Sequence, residues 1–405
     1  MHRIIGVERH YEWGSPTAIP EFAGRVASET PVAEVWFGAH PTAPAPIAGV
    51  DGEPLPDGQP KNLLEFVESD SGAILGEDVA GRFSGRMPFL MKLIAPARAL
   101  SLQVHPDRDR AAARFQDEEA AGIPLDSPAR NYKDANHKPE LLFAVTTFQA
   151  MCGFRAPRRA AELFRDLGTP LTDSLYWKLR THPNADGVQD AFASLLMRVS
   201  RPSPEEVTEF AAACTRRLEE GSISPRVDQT VVTLQEQYPG DPGVVASMLL
   251  NPVTLNPGEA LFVPAGSVHA YLSGLAVEIM ASSDNVLRAG LTAKPIDVPE
   301  MLASVNYVAA PPIRIAPERI GKATDVFYAP VDDFELGVTT VTPEQGEVLL
   351  PGRSARVILG IHGRMRVRSG DAVVELTPGE AVLVRADDER PLVSGDGTVV
   401  QGDVP

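Results

Sequence analysis

A chain of 405 residues is long enough for two to four domains at roughly 100–200 residues each, and its 43% hydrophobic and 22% charged residues are those of a globular protein. With 37 basic against 54 acidic residues the formal charge is −17, which repels nucleic acid and anionic lipid and speaks against a phosphate-tracking binder. No apolar run approaches the ~20 residues of a membrane span. The N-terminal MHRIIGVERHYEWGS lacks a signal-peptide core, and two cysteines, Cys152 and Cys214, exclude a disulfide scaffold and fit a reducing, cytoplasmic setting.

Residues 1–155 are expected to be mainly strands and loops. Short β-rich runs at Glu34–Phe37, Phe89–Leu93, Leu100–His105 and Leu141–Thr147 are separated by Pro/Gly-rich stretches; Thr42–Gln59 reads as loop and Ala111–Ala121 as helix. Residues 156–235 read as a helical insertion. Val188, Phe192, Leu195, Leu196 and Val199 recur at helical spacing. Ser203-Pro204-Glu205-Glu206 is a capping box, with Val207, Phe210, Ala211, Cys214 and Leu218 as one apolar stripe behind it. Cys214 is therefore expected in the core. Short β runs resume at Leu261–Val263, Val268–Leu272 and Leu275–Met280. From about Tyr328 onward, Arg356–Leu359, Met365–Arg368, Ala372–Leu376 and Ala381–Arg385 alternate at hairpin spacing, as in a separate small β domain. Thr377-Pro378-Gly379-Glu380-Ala381 repeats the pattern of Asn256-Pro257-Gly258-Glu259-Ala260, which points to two related β-sandwiches.

Four segments carry chemistry. In Leu102-Gln103-Val104-His105-Pro106, strand alternation aims Gln103 and His105 at one point. Gly258 to His269 has the spacing G-x5-P-x-G-x2-H, similar to the second cupin motif, whose His is a metal ligand. Asn131-Tyr132-Lys133-Asp134-Ala135-Asn136-His137-Lys138-Pro139-Glu140 is a polar loop running into an apolar strand; Glu140 there completes a possible metal site with Gln103, His105 and His269. Polar groups crowd the stretch from Ser282 to Lys294, which includes Asp284 and Arg288. Without a metal, these segments read as turn-rich surface loops.

Taken together they resemble the type I mannose-6-phosphate isomerases, zinc enzymes of the cupin superfamily. YKDANHKPE and HAYLSGLAVEIMASSDNVLRAGLTAKP are similar to that family's most specific signatures. Tyr11–Gly14, Glu34–Gly38, Pro88–Lys92 and Ser101–Pro106 resemble it in the same order. The likeness runs from residue 11 to about 310. It implies a mainly β fold with a helical insertion: a catalytic cupin jelly roll (residues 1–155 and 236–318), an α-helical domain (156–235) and a C-terminal jelly roll without metal (319–405). His362, in that last region, has no ligand companions and is expected to be structural or exposed.

The resemblance implies one Zn²⁺ per chain on Gln103, His105, Glu140 and His269, and interconversion of mannose 6-phosphate and fructose 6-phosphate by proton transfer through a cis-enediol. Lys138 is the expected proton shuttle, with Glu278 and Asp284 as carboxylate alternatives. His137 and Asp284 are expected to assist ring opening and Arg288 to stabilise the developing oxyanion. Ser101, Lys92 and Glu278 are expected to contact substrate. The expected partner is a small phosphosugar, bound by a monomer. The rival readings are an iron dioxygenase, against which Gln103 speaks, and a non-catalytic sugar-binding cupin, against which the full ligand set speaks.

Overall fold

The computed structural model describes all 405 residues. Two antiparallel sheets face each other in the catalytic half. The first has seven strands in the order Ile313–Ile315, Ala260–Val263, Glu140–Ala144, Ala276–Ala281, Phe89–Ile94, Glu34–Phe37 and Val7–Arg9. The second has five: Leu287–Gly290, Leu102–Val104, His269–Ser273, Phe148–Phe154 and Leu250–Leu255. Every residue of Phe89–Ile94, Glu140–Ala144 and Ala276–Ala281 is buried. Both faces of the seven-stranded sheet are covered, and these strands are apolar apart from Lys92, Glu140 and Glu278, which face the cleft. Leu142, Leu261 and Ala276 pack against Phe148 and Tyr271 of the five-stranded sheet. Their neighbours Leu141, Phe143, Val277 and Ile279 pack the other way, against Phe327, Leu336 and Val400 near the C-terminus.

The outer face of the five-stranded sheet (Leu102, Val104, Ala270, Leu287) is covered by the helical insertion. Its main helices are Pro157–Phe164, Pro170–Thr181, Ala185–Leu196, Pro204–Glu220 and Pro225–Gln237. The capping box is complete: Glu206 N donates to Ser203 Oγ, and Ser203 N donates to the Glu206 carboxylate. Val207, Phe210, Ala211 and Cys214 are buried as the stripe requires. Val199 departs from its expected place: the helix stops at Leu196, and Val199 lies beyond it, exposed.

A ten-stranded antiparallel sheet forms the C-terminal part. The expected runs Arg356–Leu359 and Met365–Arg368 are one long strand, Arg356–Ser369, with a register shift between Gly360 and His362; the His362 side chain is exposed. This region keeps a core of its own, which includes Val341, Ile358, Met365, Val374, Val382 and Val399, and through Phe327, Leu336 and Val400 it shares a second core with the seven-stranded sheet. It is not built from C-terminal residues alone. His2–Ile4 pairs with both Ala381–Val384 and Ile47–Ala48. The two similar turns are structurally equivalent. Gly258 and Gly379 take φ of +90° and +88°, and Asn256 N and Thr377 N donate to Glu259 and Glu380 at 2.7 and 2.8 Å. Each turn leads into a buried strand, Ala260–Val263 or Ala381–Val384.

Three short helices, Leu63–Ser69, Ser71–Leu75 and Glu77–Arg82, stand where loop and strand were expected. Their sequence signal is Asn62-x-x-Glu65, in which Asn62 accepts from Glu65 N and Glu65 accepts from Lys61 N. No helix is long and apolar enough to cross a membrane.

Candidate metal centre and active-site cleft

The two facing sheets each contribute a polar row to one cleft of about 2080 Å³. On the five-stranded sheet Arg288 pairs with Gln103, and Gln103 with His269, so three expected site residues stand side by side in register. On the seven-stranded sheet Trp36 pairs with Lys92, and Lys92 with Glu278. The alternation that sends Val277 and Ile279 to the C-terminal core turns Glu278 inward.

His105, Glu140 and His269 converge, all buried, with donor atoms within 4.8 Å of one another. Glu140 Oε1 lies 3.1 Å from His105 Nε2, and Oε2 lies 3.5 Å from His269 Nε2. His105 Nδ1 meets the Asn285 carbonyl at 2.7 Å, and His269 Nδ1 meets the Ser267 carbonyl at 2.9 Å. A carbonyl can only accept, so each ring carries its proton on Nδ1. Both Nε2 lone pairs are thus buried, without a hydrogen-bond partner, and aimed at the carboxylate. Burial pushes His105 down to about 4 and lowers His269 as well, which keeps both rings neutral. Burial opposes charge on Glu140, and the Lys138 ammonium, 3.8 Å from Oε1, favours it. Two neutral imidazoles, one carboxylate and the adjacent Gln103 amide form a donor set that fits zinc. Tyr271, two residues beyond His269, donates to Glu140 Oε2 at 2.7 Å. Sequence reasoning missed it, although strand alternation places it on the same face as the ligand.

The polar loop is held rigidly beside this centre. Asn285, fully buried, accepts from Lys133 N and donates to the carbonyls of Asp134 and Asn136. Asp134 in turn accepts from Ser283 Oγ and Asp284 N. The two signature segments are therefore clasped together. Lys138 lines the cleft, with Nζ 3.8 Å from Glu140 Oε1. His137 does not join it. Its Nε2 lies 3.0 Å from Asp333 and 2.6 Å from Arg108 Nη2, so its ring faces the C-terminal region and not the cleft. Its expected role in ring opening has no support from this placement, because the residue before a cleft-facing lysine in extended chain points the other way.

Lys92 lines the cleft as well, but its charge is already engaged. Its ammonium is buried, 2.5 Å from Glu278 and 3.3 Å from Glu34, which is itself bonded to Trp36 Nε1. Burial works against that charge, but the two carboxylates raise the Lys92 pKa. A cation already neutralised twice is a poor phosphate site. Burial pushes its partner Glu278 up to about 7, with the nearby Glu140 charge adding to the rise. Asp284 lines the cleft and pairs with His40 at 3.5 Å, a partner that no local motif announced. Arg288 is left without an ion pair, and burial alone moves its pKa down. Lys294 lies close enough for the Arg288 charge to lower its own pKa. Ser101 lines the same cleft. Arg288 and Lys294, which have no ion pair, and the Ser101 hydroxyl are thus available to an anionic group.

Residues 1–157 match the catalytic domain of type I phosphomannose isomerases. Over the whole length, the chain is 37% identical to the mannose-6-phosphate isomerase of Escherichia coli across 403 residues, 99% of both chains. It is 30% identical to that of Rattus norvegicus across 418 residues, 94% of each. A crystal structure of a mannose 6-phosphate isomerase bound with zinc and yttrium superposes with a TM-score of 0.88 at 38% identity, covering 100% of this chain and 99% of the other. A variant of phosphomannose isomerase from Salmonella typhimurium gives 0.89 at 37% identity with the same coverage. Full-length identity, the shared fold and a donor set suited to zinc agree, and the chain belongs to the type I phosphomannose isomerase family.

Proposed function

We propose that this chain is a zinc-dependent isomerase interconverting mannose 6-phosphate and fructose 6-phosphate. The observation that carries the reading is the buried pair of unpartnered Nε2 atoms on His105 and His269, facing Glu140 within a cleft that also presents Arg288. Gln103, His105, Glu140 and His269 would hold the ion. Bound there, zinc supplies a Lewis acid for the negative charge that develops on the sugar oxygens at carbons 1 and 2.

The remaining steps belong to the chain's own side chains. Asp284, backed by His40, is placed to exchange the proton that opens the sugar ring. Lys138 moves a proton between carbons 1 and 2; support comes from its position at the cleft wall beside Glu140. Arg288 offers fixed donors to the enediolate oxygens, and its lack of a protein partner leaves those donors free. Lys294 and Ser101 hold the phosphate. Glu278 and Glu34 fix Lys92 in the floor, away from the substrate anion. We further place the enzyme in the cytoplasm, working as a monomer; its two free, buried cysteines fit a reducing compartment.

A coupled assay with mannose 6-phosphate, run before and after exhaustive chelation and after zinc return, tests the reading. Turnover lost on chelation and restored by zinc is expected. Full activity in metal-free enzyme would overturn it.

A further inference from the structure

We propose that Asp333, in the region that carries no metal ligand, is a positioning residue for proton transfer, acting through His137 on Lys138. Asp333 lies in the hairpin loop between strands Thr324–Phe327 and Glu335–Val341 of the ten-stranded sheet. It is 1% exposed, and the next residue, Phe334, is fully buried in the core shared with the seven-stranded sheet, so the loop is anchored on the catalytic half. Arg108 Nη2 donates to Asp333 Oδ1 and Oδ2 at 3.2 and 3.1 Å and to His137 Nε2 at 2.6 Å, so Asp333 holds the His137 ring by way of the Arg108 guanidinium, with Nε2 3.0 Å from Oδ2.

The two tethered residues flank the metal centre. Arg108 opens a helix three residues after His105, and His137 lies three residues before Glu140. Lys138 precedes Pro139, which disfavours helical backbone at Lys138 and favours extended chain, and residues 137–139 are not helical. In extended chain, neighbouring side chains point to opposite sides. Fixing the His137 ring on the outside therefore fixes the direction in which Lys138 enters the cleft. The other side-chain anchors of this loop act through Asp134 and Asn136, on the far side of His137 from the lysine, while on its near side the Pro139 carbonyl accepts a backbone bond from Ala281 N at 3.1 Å. Asp333 is the side-chain tether nearest to Lys138 on the outer face, and the rigid Pro139 links the same segment to Glu140.

This inference rests on the assignment of proton transfer to Lys138, so the experiment includes that residue. Asp333→Ala, Asp333→Asn, His137→Ala, the double variant Asp333→Ala/His137→Ala and Lys138→Met are compared in the full chain for kcat, KM, zinc content and melting temperature. Asp333→Ala should lower kcat roughly ten- to a hundred-fold, the range typical of losing an outer positioning partner, while KM moves much less and zinc stays bound. Asp333→Asn, which keeps an acceptor for Arg108, should lose less. The double variant should be no slower than the worse single variant, because both substitutions break one tether. Normal kcat in folded, zinc-loaded Asp333→Ala, or losses that multiply in the double variant, would overturn the proposal while leaving the function intact. If Asp333→Ala does not fold, Asp333→Asn and His137→Ala decide by the same kcat criterion. Near-normal turnover in Lys138→Met would remove the Lys138 assignment and this proposal with it, whereas a dead Lys138→Met beside a normal Asp333→Ala removes this proposal alone.

Discussion

The Tyr271 hydroxyl donates to Glu140 Oε2 at 2.7 Å inside the barrel, with both side chains buried. This bond occupies one lone pair of the carboxylate and fixes the orientation of the rest. Burial raises the Tyr271 pKa well above its ordinary value, so the group stays a donor. Tyr271→Phe should therefore weaken zinc affinity about ten- to a hundred-fold with little change in fold. Competition against a chelator of known affinity measures it. Unchanged affinity would mean that the strand alone holds Glu140 in place.

Metal removal should be visible in stability as well as in turnover. Two buried imidazole nitrogens and a buried carboxylate face one another without donors between them, which is unfavourable in the metal-free fold. An ion that binds only the native state adds about 4 kcal/mol at a thousand-fold excess over Kd. The melting temperature should rise with the logarithm of free zinc, and His269→Ala should abolish that dependence. A zinc-dependent shift that survives in His269→Ala would place the ion elsewhere.

The candidate metal ligands were legible because each sits in a short motif with its own local logic: Gln103 and His105 two apart, His269 after a Pro-x-Gly turn, Glu140 where a polar loop meets an apolar strand. The residues that orient them were not. Asn285 reaches the His105 ring through its backbone carbonyl, 180 positions away in sequence, and no periodicity encodes that. Lys92 looked like a free cation because Glu278 and Glu34 meet it only across sheet register. His137 looked like a ligand neighbour, and strand-like alternation next to Pro139 turned it outward. No local pattern ties the N-terminal strand His2–Ile4 to the C-terminal region; only the three-dimensional pairing puts it beside Ala381–Val384. Local patterning thus specified elements and ligands, while the partners set by tertiary contact stayed hidden.

A pH effect on stability should arise far from the cleft. Asp403 is fully buried directly opposite Glu335 in the sheet. Burial raises its carboxyl well above the ordinary value, and the facing Glu335 adds to the rise, with the Arg356 charge and Gln401 opposing it. Glu335 is raised for the same first reason. A native state that keeps a proton the unfolded chain has released loses stability as pH rises from the unfolded pKa through the folded one. Asp403→Asn should flatten this decline and stabilise the protein at neutral and alkaline pH. Denaturant melts of wild type and variant across that range test it, and parallel curves for the two proteins would assign the slope to other groups.

Arg288→Ala gives the sharpest separation between a catalytic and a structural role. A structural arginine would pair with a carboxylate, and Asp284 was the obvious partner in sequence. In the structure Asp284 turns to His40, and Arg288 has no ion pair, only a burial cost that lowers its pKa. Removing it should therefore leave the melting temperature unchanged or slightly higher. Turnover should fall by about two or more orders of magnitude, as when one group acting on transition-state charge is lost. Zinc should remain bound, because Arg288 neighbours Gln103 in register but supplies no ligand atom. Arg288→Lys should recover only part of the rate, since a point charge does not reproduce the planar fork. The Lys294 pKa, now lowered by the Arg288 charge, should rise in the alanine variant, which a lysine-selective labelling profile against pH can follow. A lowered melting temperature with near-normal turnover in the folded fraction would retire the catalytic assignment of Arg288.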